Sequence, residues 1–166
     1  PRLLSLTDYL QHASTSDVQS DLDIPRTVRG HKAFHTRYGR GQCDLFGVLH
    51  AMSLMCAECG YCQGMGPLAA MLLRHMPASD ALRVMQRMHD VYGFHELFRP
   101  GFPGLRAEFY VLSQLLDALV PRMAQALAQA GLAPSAYATR WLLTVFHDAL
   151  PHATQLRVWD IFMACG

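Results

Sequence analysis

Leu45, Leu49, Met52 and Cys56 step along the chain by four, three and four residues, a spacing that puts all four on one face of a helix. The same spacing returns in Leu68, Met71, Leu72 and Met76, and again in Ala81, Val84, Met85 and Met88. Nowhere does a sustained two-residue alternation appear, so no half-buried strand is indicated and the chain must bury its apolar residues between helices. The expected fold is therefore all-α, a single compact multi-helix domain over residues 1–166. Its 166 residues, 51% apolar and 16% charged, suffice for one sizeable core.

The punctuation gives the order of the helices. Leu3, Leu4, Leu6 and Leu10 suggest a partial first helix, and Ser16 with Gln19 three residues on reads as a capping box for a second. Gly39-Arg40-Gly41 lacks the third glycine and the preceding strand of a dinucleotide fingerprint, and reads instead as a junction between helices. Pro67 opens a helix, and Ser79 reads as the cap of the next. Tyr92 to Gly104, with Pro100-Gly101 and Pro103-Gly104, reads as a loop. Two helices follow that meet near Pro121, the second closed by Gly131. Trp141 with Val145, then Leu156, Trp159 and Phe162, mark the last two helical runs.

Several function classes are excluded or weakened. A net charge of +1 and a single lysine, Lys32, give no phosphate-backbone footprint, so nucleic acid is not expected as a partner. No apolar run of about 18 residues is present to span a membrane, and the start carries no signal-peptide pattern. Pro1 in place of Met, and an end at Cys165-Gly166 directly after an apolar run, read as a fragment of a longer protein. Five cysteines without a secretory signal fit a reducing compartment, where they serve as small core residues.

Cys56-x-x-Cys59-x-x-Cys62 begins like an iron–sulfur run, but the fourth ligand position holds Gly66. Zinc would need Cys43, His50 or Cys165 to complete its set, and on a helix Cys62 falls off the face that Cys56 and Cys59 share. The trio is therefore read as core, with no metal expected. His95-Glu96 lacks the second histidine of a zinc-peptidase helix, and no Gly-x-Ser-x-Gly elbow occurs. His147-Asp148 would be an acid–base pair only if the two met, and neighbours on a helix point apart. The methionines at 71, 76, 85 and 88 have helical spacing, which favours core over an adaptable binding surface.

Two polar signatures remain: Asp23-Ile24-Pro25-Arg26-Thr27 and Gly60-Tyr61-Cys62-Gln63-Gly64-Met65. Ile24 precedes a proline, so a helix from residue 17 should end near Arg26 and leave the guanidinium at its tip. Gln63 lies between two glycines, just before Pro67. A guanidinium on transferring phosphoryl oxygens and a carboxamide on attacking water would together serve phosphoryl transfer from GTP, and neither group needs to titrate. An arginine supplied in trans is worth about 10³–10⁵ in rate, about 4–7 kcal/mol of barrier, against about 0–1 kcal/mol for an exposed ion pair. Taken singly, each residue favours a plainer reading, in which Arg26 pairs with Asp23 and Gln63 caps a helix.

Asp21 to Thr27, followed by Arg29, His31 and Phe34, resembles the arginine-finger motif of TBC-domain Rab GTPase-activating proteins. Gly60 to Met65 resembles their glutamine-finger motif, and Trp141, Phe146, Pro151 and Arg157-Val158-Trp159-Asp160 their third block. The order and approximate spacing agree from about residue 18 onward. The resemblance implies a TBC-type fold and a domain that is not itself an enzyme but activates one, completing the active site of a GTP-bound Rab-family GTPase. Arg26 and Gln63 would be the catalytic pair, with Asp23, Thr27, Tyr61 and Gly64 in support. Trp141, Arg157, Trp159 and Asp160 would be structural or touch the partner. GTP and Mg²⁺ would arrive with the partner, no cofactor of its own being needed, and the setting would be cytoplasmic, at endomembranes, in vesicle traffic. Ser20 departs from the family's usual apolar residue, a loss of anchorage for the finger's helix. The alternatives are a silent Rab-binding scaffold and a cysteine-ligated metalloprotein.

Overall fold

A computed structural model describes residues 5–165, so Leu3 and Leu4 of the expected first helix lie outside the described residues. Helices α1 (Leu6–Tyr9) and α2 (Asp17–Asp23) lead into a 3₁₀ turn over Ile24–Arg26. After a run of turns come α3 (Arg40–Met55), α4 (Met65–Leu73), α5 (Ala78–Asp90), α6 (Phe94–Phe98) and α7 (Pro103–Leu119). The chain closes with α8 (Pro121–Gln129), α9 (Pro134–Tyr137), α10 (Thr139–Thr144) and α11 (His152–Cys165). Among the described residues no strand is present, as the apolar spacing requires.

The core lies where α3, α4 and α5 meet. Leu45, Leu49 and Met52 of α3, Leu68 and Met71 of α4, and Ala81, Met85 and Met88 of α5 are all at most 2% exposed, so the methionines are packing residues. Cys56 is not the fourth member of the α3 face. It ends that helix in an extended conformation, φ −124° and ψ 92°, and turns the chain toward Gln63. Helix α7 by contrast buries only Leu105 and pairs with α8 at the edge of the molecule.

Four local expectations fail for identifiable reasons. The capping box does not form, because the Ser16 hydroxyl accepts from the Tyr61 backbone N–H at 3.1 Å and Gln19 donates to Asp23. Ser79 is not a cap, since α5 already starts at Ala78 behind Pro77. The expected loop after Tyr92 contains α6, whose Phe94 and Phe98 sit four residues apart and are both buried; their burial outweighs the flanking Gly and Pro. Finally, Gly39 begins α3 but ends no helix, because residues 27–39 are turns.

Gly41 shows how tightly the first turn of α3 meets the arginine-bearing segment. A Cβ there would lie 2.1 Å from the Ala33 carbonyl oxygen, far inside contact distance and against backbone that cannot swing away. Alanine normally gains about 1 kcal/mol over glycine in a helix interior, whereas an overpacking clash costs about 1–3 kcal/mol or more. Gly41→Ala is therefore expected to destabilise the domain by about 2 kcal/mol net, read as a lower midpoint in denaturant at an unchanged slope. A gain in stability would show that α3 can move off Ala33.

Candidate functional site

The arginine arm is held from below. Ile24 keeps right-handed torsions despite the following proline, φ −55° and ψ −47°, and the chain tightens into the 3₁₀ turn that ends at Arg26. Asp23, 2% exposed, accepts from the Arg26 Nη2 and from Gln19 Nε2 at 3.1 Å. Its backbone carbonyl accepts from the Thr27 hydroxyl at 2.9 Å and the Thr27 N–H at 3.1 Å, which closes the turn. Arg26 keeps 63% of its side chain exposed, and only one of its five N–H donors is taken by the carboxylate.

The glutamine arm is held from the side. Gly60 adopts φ +56°, a torsion that favours glycine, and Tyr61 follows with its N–H on Ser16. Burial, then the Asp23 carboxylate beside it, hold the Tyr61 phenol well above its ordinary range. Its ring body therefore bridges the two arms as a neutral group. Gly64 and Gly66 carry ordinary torsions but little space. A Cβ on Gly64 would lie 3.1 Å from Leu143 Cβ in α10, and one on Gly66 would lie 3.2 Å from the Thr27 hydroxyl. Gln63 itself is exposed, and its carboxamide has no partner among the described residues.

Both arms open into one cavity of about 1030 Å³, lined by Arg26, Gln63, Asp23, Thr27, Tyr61 and Gly64 among others. The sequence-predicted pair and its four supporting residues are thus brought together. The lining carries four arginines, at 26, 29, 74 and 140, against two carboxylates, Asp23 and Asp148. Both carboxylates are ion-paired, Asp23 to Arg26 and Asp148 to Arg140 at 3.4 Å. The surplus positive charge comes from Arg29 and Arg74. Backbone strain also gathers at this rim, where the lining residues Val28 and Asp148 have φ +51° and +56°.

The third block is split. Trp141 stacks on Phe146 with centroids 5.8 Å apart. Trp159 is 5% exposed and donates its indole N–H to the Val145 carbonyl at 2.9 Å, tying α11 to the end of α10. Arg157 and Asp160 pair with each other at 3.7 Å on the exposed face of α11 and do not line the cavity.

Arg74, Arg140 and Tyr137 line the cavity without having been singled out, and nothing in their spacing marks them. His147 and Asp148 also line it, and they do meet: Nε2 lies 3.2 Å from the Asp148 carboxylate. Neighbours on a helix point apart, but left-handed torsions at Val145 and Phe146 have already ended the helix before His147. Gln155 donates to His147 Nδ1 at 3.1 Å.

The Rab-GTPase-TBC domain family matches residues 4–166, and the chain belongs to that family. It is 44% identical over 150 residues to a TBC domain-containing protein of Schizosaccharomyces pombe, covering 90% of this chain and 36% of that protein. It is 35% identical over 144 residues to a Rab GTPase-activating protein of Caenorhabditis elegans, covering 87% of this chain and 15% of that one. The chain thus spans about a third or less of these relatives. The crystal structure of a Chlamydomonas flagellar RabGAP TBC domain superposes with a TM-score of 0.74 at 22% identity, over 97% of this chain and 52% of that one, and so shares the fold. No helix of the described residues is long and apolar enough to cross a membrane.

Ser20 is 1% exposed and its hydroxyl has no hydrogen-bond partner among the described residues. An unpaired buried hydroxyl costs about 1–3 kcal/mol, and alanine is also the better helix former. Ser20→Ala should raise stability by about 1 kcal/mol in chemical denaturation; a loss would mean that the hydroxyl is satisfied after all.

Burial lowers the His147 pKa below its ordinary 6.5, and Arg140 and Arg74 act in the same direction while Asp148 opposes them. The unfolded chain therefore binds this proton more readily than the folded one. The His147 contribution is complete above 6.5 and is lost as pH falls below it. A melting-temperature series from about pH 7 to pH 5 should show a downward slope toward acid that His147→Gln makes shallower. An unchanged slope in the variant would assign the acid sensitivity to other groups.

Proposed function

We propose that this domain accelerates GTP hydrolysis by a Rab-family GTPase, with Arg26 and Gln63 acting in trans. The observation that carries the reading is their convergence: two segments far apart in the sequence deliver an exposed guanidinium and a carboxamide unpartnered among the described residues to one open cavity. The guanidinium would meet the transferring phosphoryl group and spread its developing charge over N–H donors that Asp23 leaves available. The carboxamide, which both donates and accepts, would orient the attacking water. The excess of arginine over carboxylate in the lining suits a polyphosphate entering from the partner.

Each supporting residue acts through these two. Asp23 fixes the turn and the approach angle of Arg26, Thr27 closes that turn, and Tyr61 and Gly64 fix the loop beneath Gln63. Trp141 and Trp159 brace the α10 wall of the cavity. Nucleotide and Mg²⁺ would arrive with the GTP-bound partner, which would also bring the domain to the cytoplasmic face of endomembranes.

Single-turnover hydrolysis over a panel of GTP-loaded Rab proteins tests the reading. Arg26→Ala should lower the stimulated rate by about 10³-fold or more, and Gln63→Ala by about 10²–10³-fold, with binding retained. Arg26→Lys should rescue little, because a point charge does not replace a planar fork. Wild-type protein that binds a GTP-loaded Rab and leaves its rate unchanged would instead be a silent scaffold. Stimulation that survives both alanine variants would rule out the assigned roles.

A further inference from the structure

We propose that Cys56, Cys59, His89 and His95 form a structural zinc site that anchors the loop carrying Gln63. The proposal concerns metal binding and stands whether or not the domain stimulates a GTPase. The sequence trio that suggested a metal was the wrong set. Cys62 packs against the hydrophobic core, and the partners of Cys56 and Cys59 come from the end of α5 and the start of α6.

The four ligand atoms lie within 4.8 Å of one another. Cys59 Sγ is 3.5 Å from His89 Nε2 and 3.5 Å from His95 Nδ1, Cys56 Sγ is 3.7 Å from His95 Nδ1, and the two ring nitrogens are 3.2 Å apart. A tetrahedral zinc with Zn–S of about 2.3 Å and Zn–N of about 2.0–2.1 Å requires S–N edges of about 3.5–3.6 Å and an N–N edge of about 3.3–3.4 Å. These four edges match that tetrahedron to within about 0.2 Å, and the other two, from Cys56 Sγ to Cys59 Sγ and to His89 Nε2, are no longer than 4.8 Å, so Cys56 would close on the metal as it binds. Two thiolates and two imidazoles are also a zinc donor set, here in a Cys-x-x-Cys and His-x₅-His arrangement.

The surroundings orient the donors inward. His89 Nδ1 donates to the Asp90 carboxylate at 2.6 Å, which leaves the Nε2 lone pair facing the cluster. His95 turns Nε2 toward Glu58 at 3.6 Å and Glu96 at 3.9 Å, which likewise favours an inward lone pair on Nδ1. Two lone pairs 3.2 Å apart repel unless a proton or a metal ion lies between them. Such carboxylate–histidine pairs are the usual outer layer of a zinc site, and the Cys59 backbone N–H donates to Cys56 Sγ at 3.3 Å, as amides do to a metal-bound thiolate. Binding Zn²⁺ would release the two thiol protons to solvent and leave a neutral unit of one dication and two thiolates. With four protein ligands the site would be closed, hence structural rather than catalytic.

The consequence is mechanical. Gln63 lies four residues beyond Cys59, and the metal would clamp the start of its loop to the α5–α6 corner. The test is metal content by mass spectrometry on protein purified without a metal-affinity step, together with cobalt exchange. Wild type should carry about one zinc per chain, and the Co²⁺ form should show the intense visible bands of a tetrahedral thiolate site. Cys59→Ser and His95→Gln should drop zinc below about a tenth per chain, whereas Cys62→Ser and Cys43→Ser should keep it. Wild type with less than about a tenth of a zinc and no tetrahedral cobalt spectrum overturns the site, and zinc lost from Cys62→Ser or retained by Cys59→Ser overturns the donor set. Should a ligand variant fail to fold, the cobalt spectrum of wild type decides alone.

Discussion

The buried carboxylate of Asp23 is the joint between the two arms of the cavity. It has left water, so its charge must be met within the chain, and Arg26, Gln19 and the neighbouring Tyr61 supply what meets it. Removing one partner of such a pair leaves an uncompensated buried charge, which is far costlier than losing an exposed ion pair. The carboxylate therefore fixes the direction of Arg26 although most of that guanidinium is in solvent. Through Tyr61 the same charge reaches the loop that carries Gln63.

Behind this joint the packing is close enough to transmit position. Gly41 lies against the Ala33 backbone, Gly66 against Thr27 and Gly64 against α10, so α3, α4 and α10 each register against a polar segment rather than floating beside it. Interiors packed to crystal density move as units, and a side chain mounted on such a base keeps its orientation without a hydrogen bond of its own. That is the state of Gln63. The Ser16 hydroxyl adds to this by leaving its own helix uncapped and holding the Tyr61 N–H.

Much of the fold was legible because apolar spacing reports directly on helix faces: the cores of α3, α4 and α5 lie where Leu45, Leu68 and Met85 placed them. Of the two backbone signals beside the polar pair, Gly60 marks a true departure from helix, whereas Ile24 before Pro25 keeps right-handed torsions and the helix only tightens into a 3₁₀ turn. Local signals misled wherever a long-range contact was stronger. Ser16 left its capping role for a residue 45 positions away, and burial of Phe94 and Phe98 made a helix in a Gly- and Pro-rich stretch. Arg74 and Arg140 carry no local signature at all, since an arginine on a helix looks the same whether it faces a cavity or open solvent.

The cysteines separate the two kinds of information most clearly. The chain alone determined that Cys56, Cys59 and Cys62 are evenly spaced and that Arg26 and Gln63 lie beside backbone breaks, since spacing and torsional preference are properties of adjacent residues. Only the tertiary structure decided that His89 and His95 face Cys59, that Cys62 does not join them, and that the guanidinium and carboxamide share one cavity. Those are distances across 30 or more positions, as between Cys59 and His89, set by how α3, α5 and α6 pack. Packing of that kind minimises exposed apolar area over the whole chain at once, and no short window of sequence contains it.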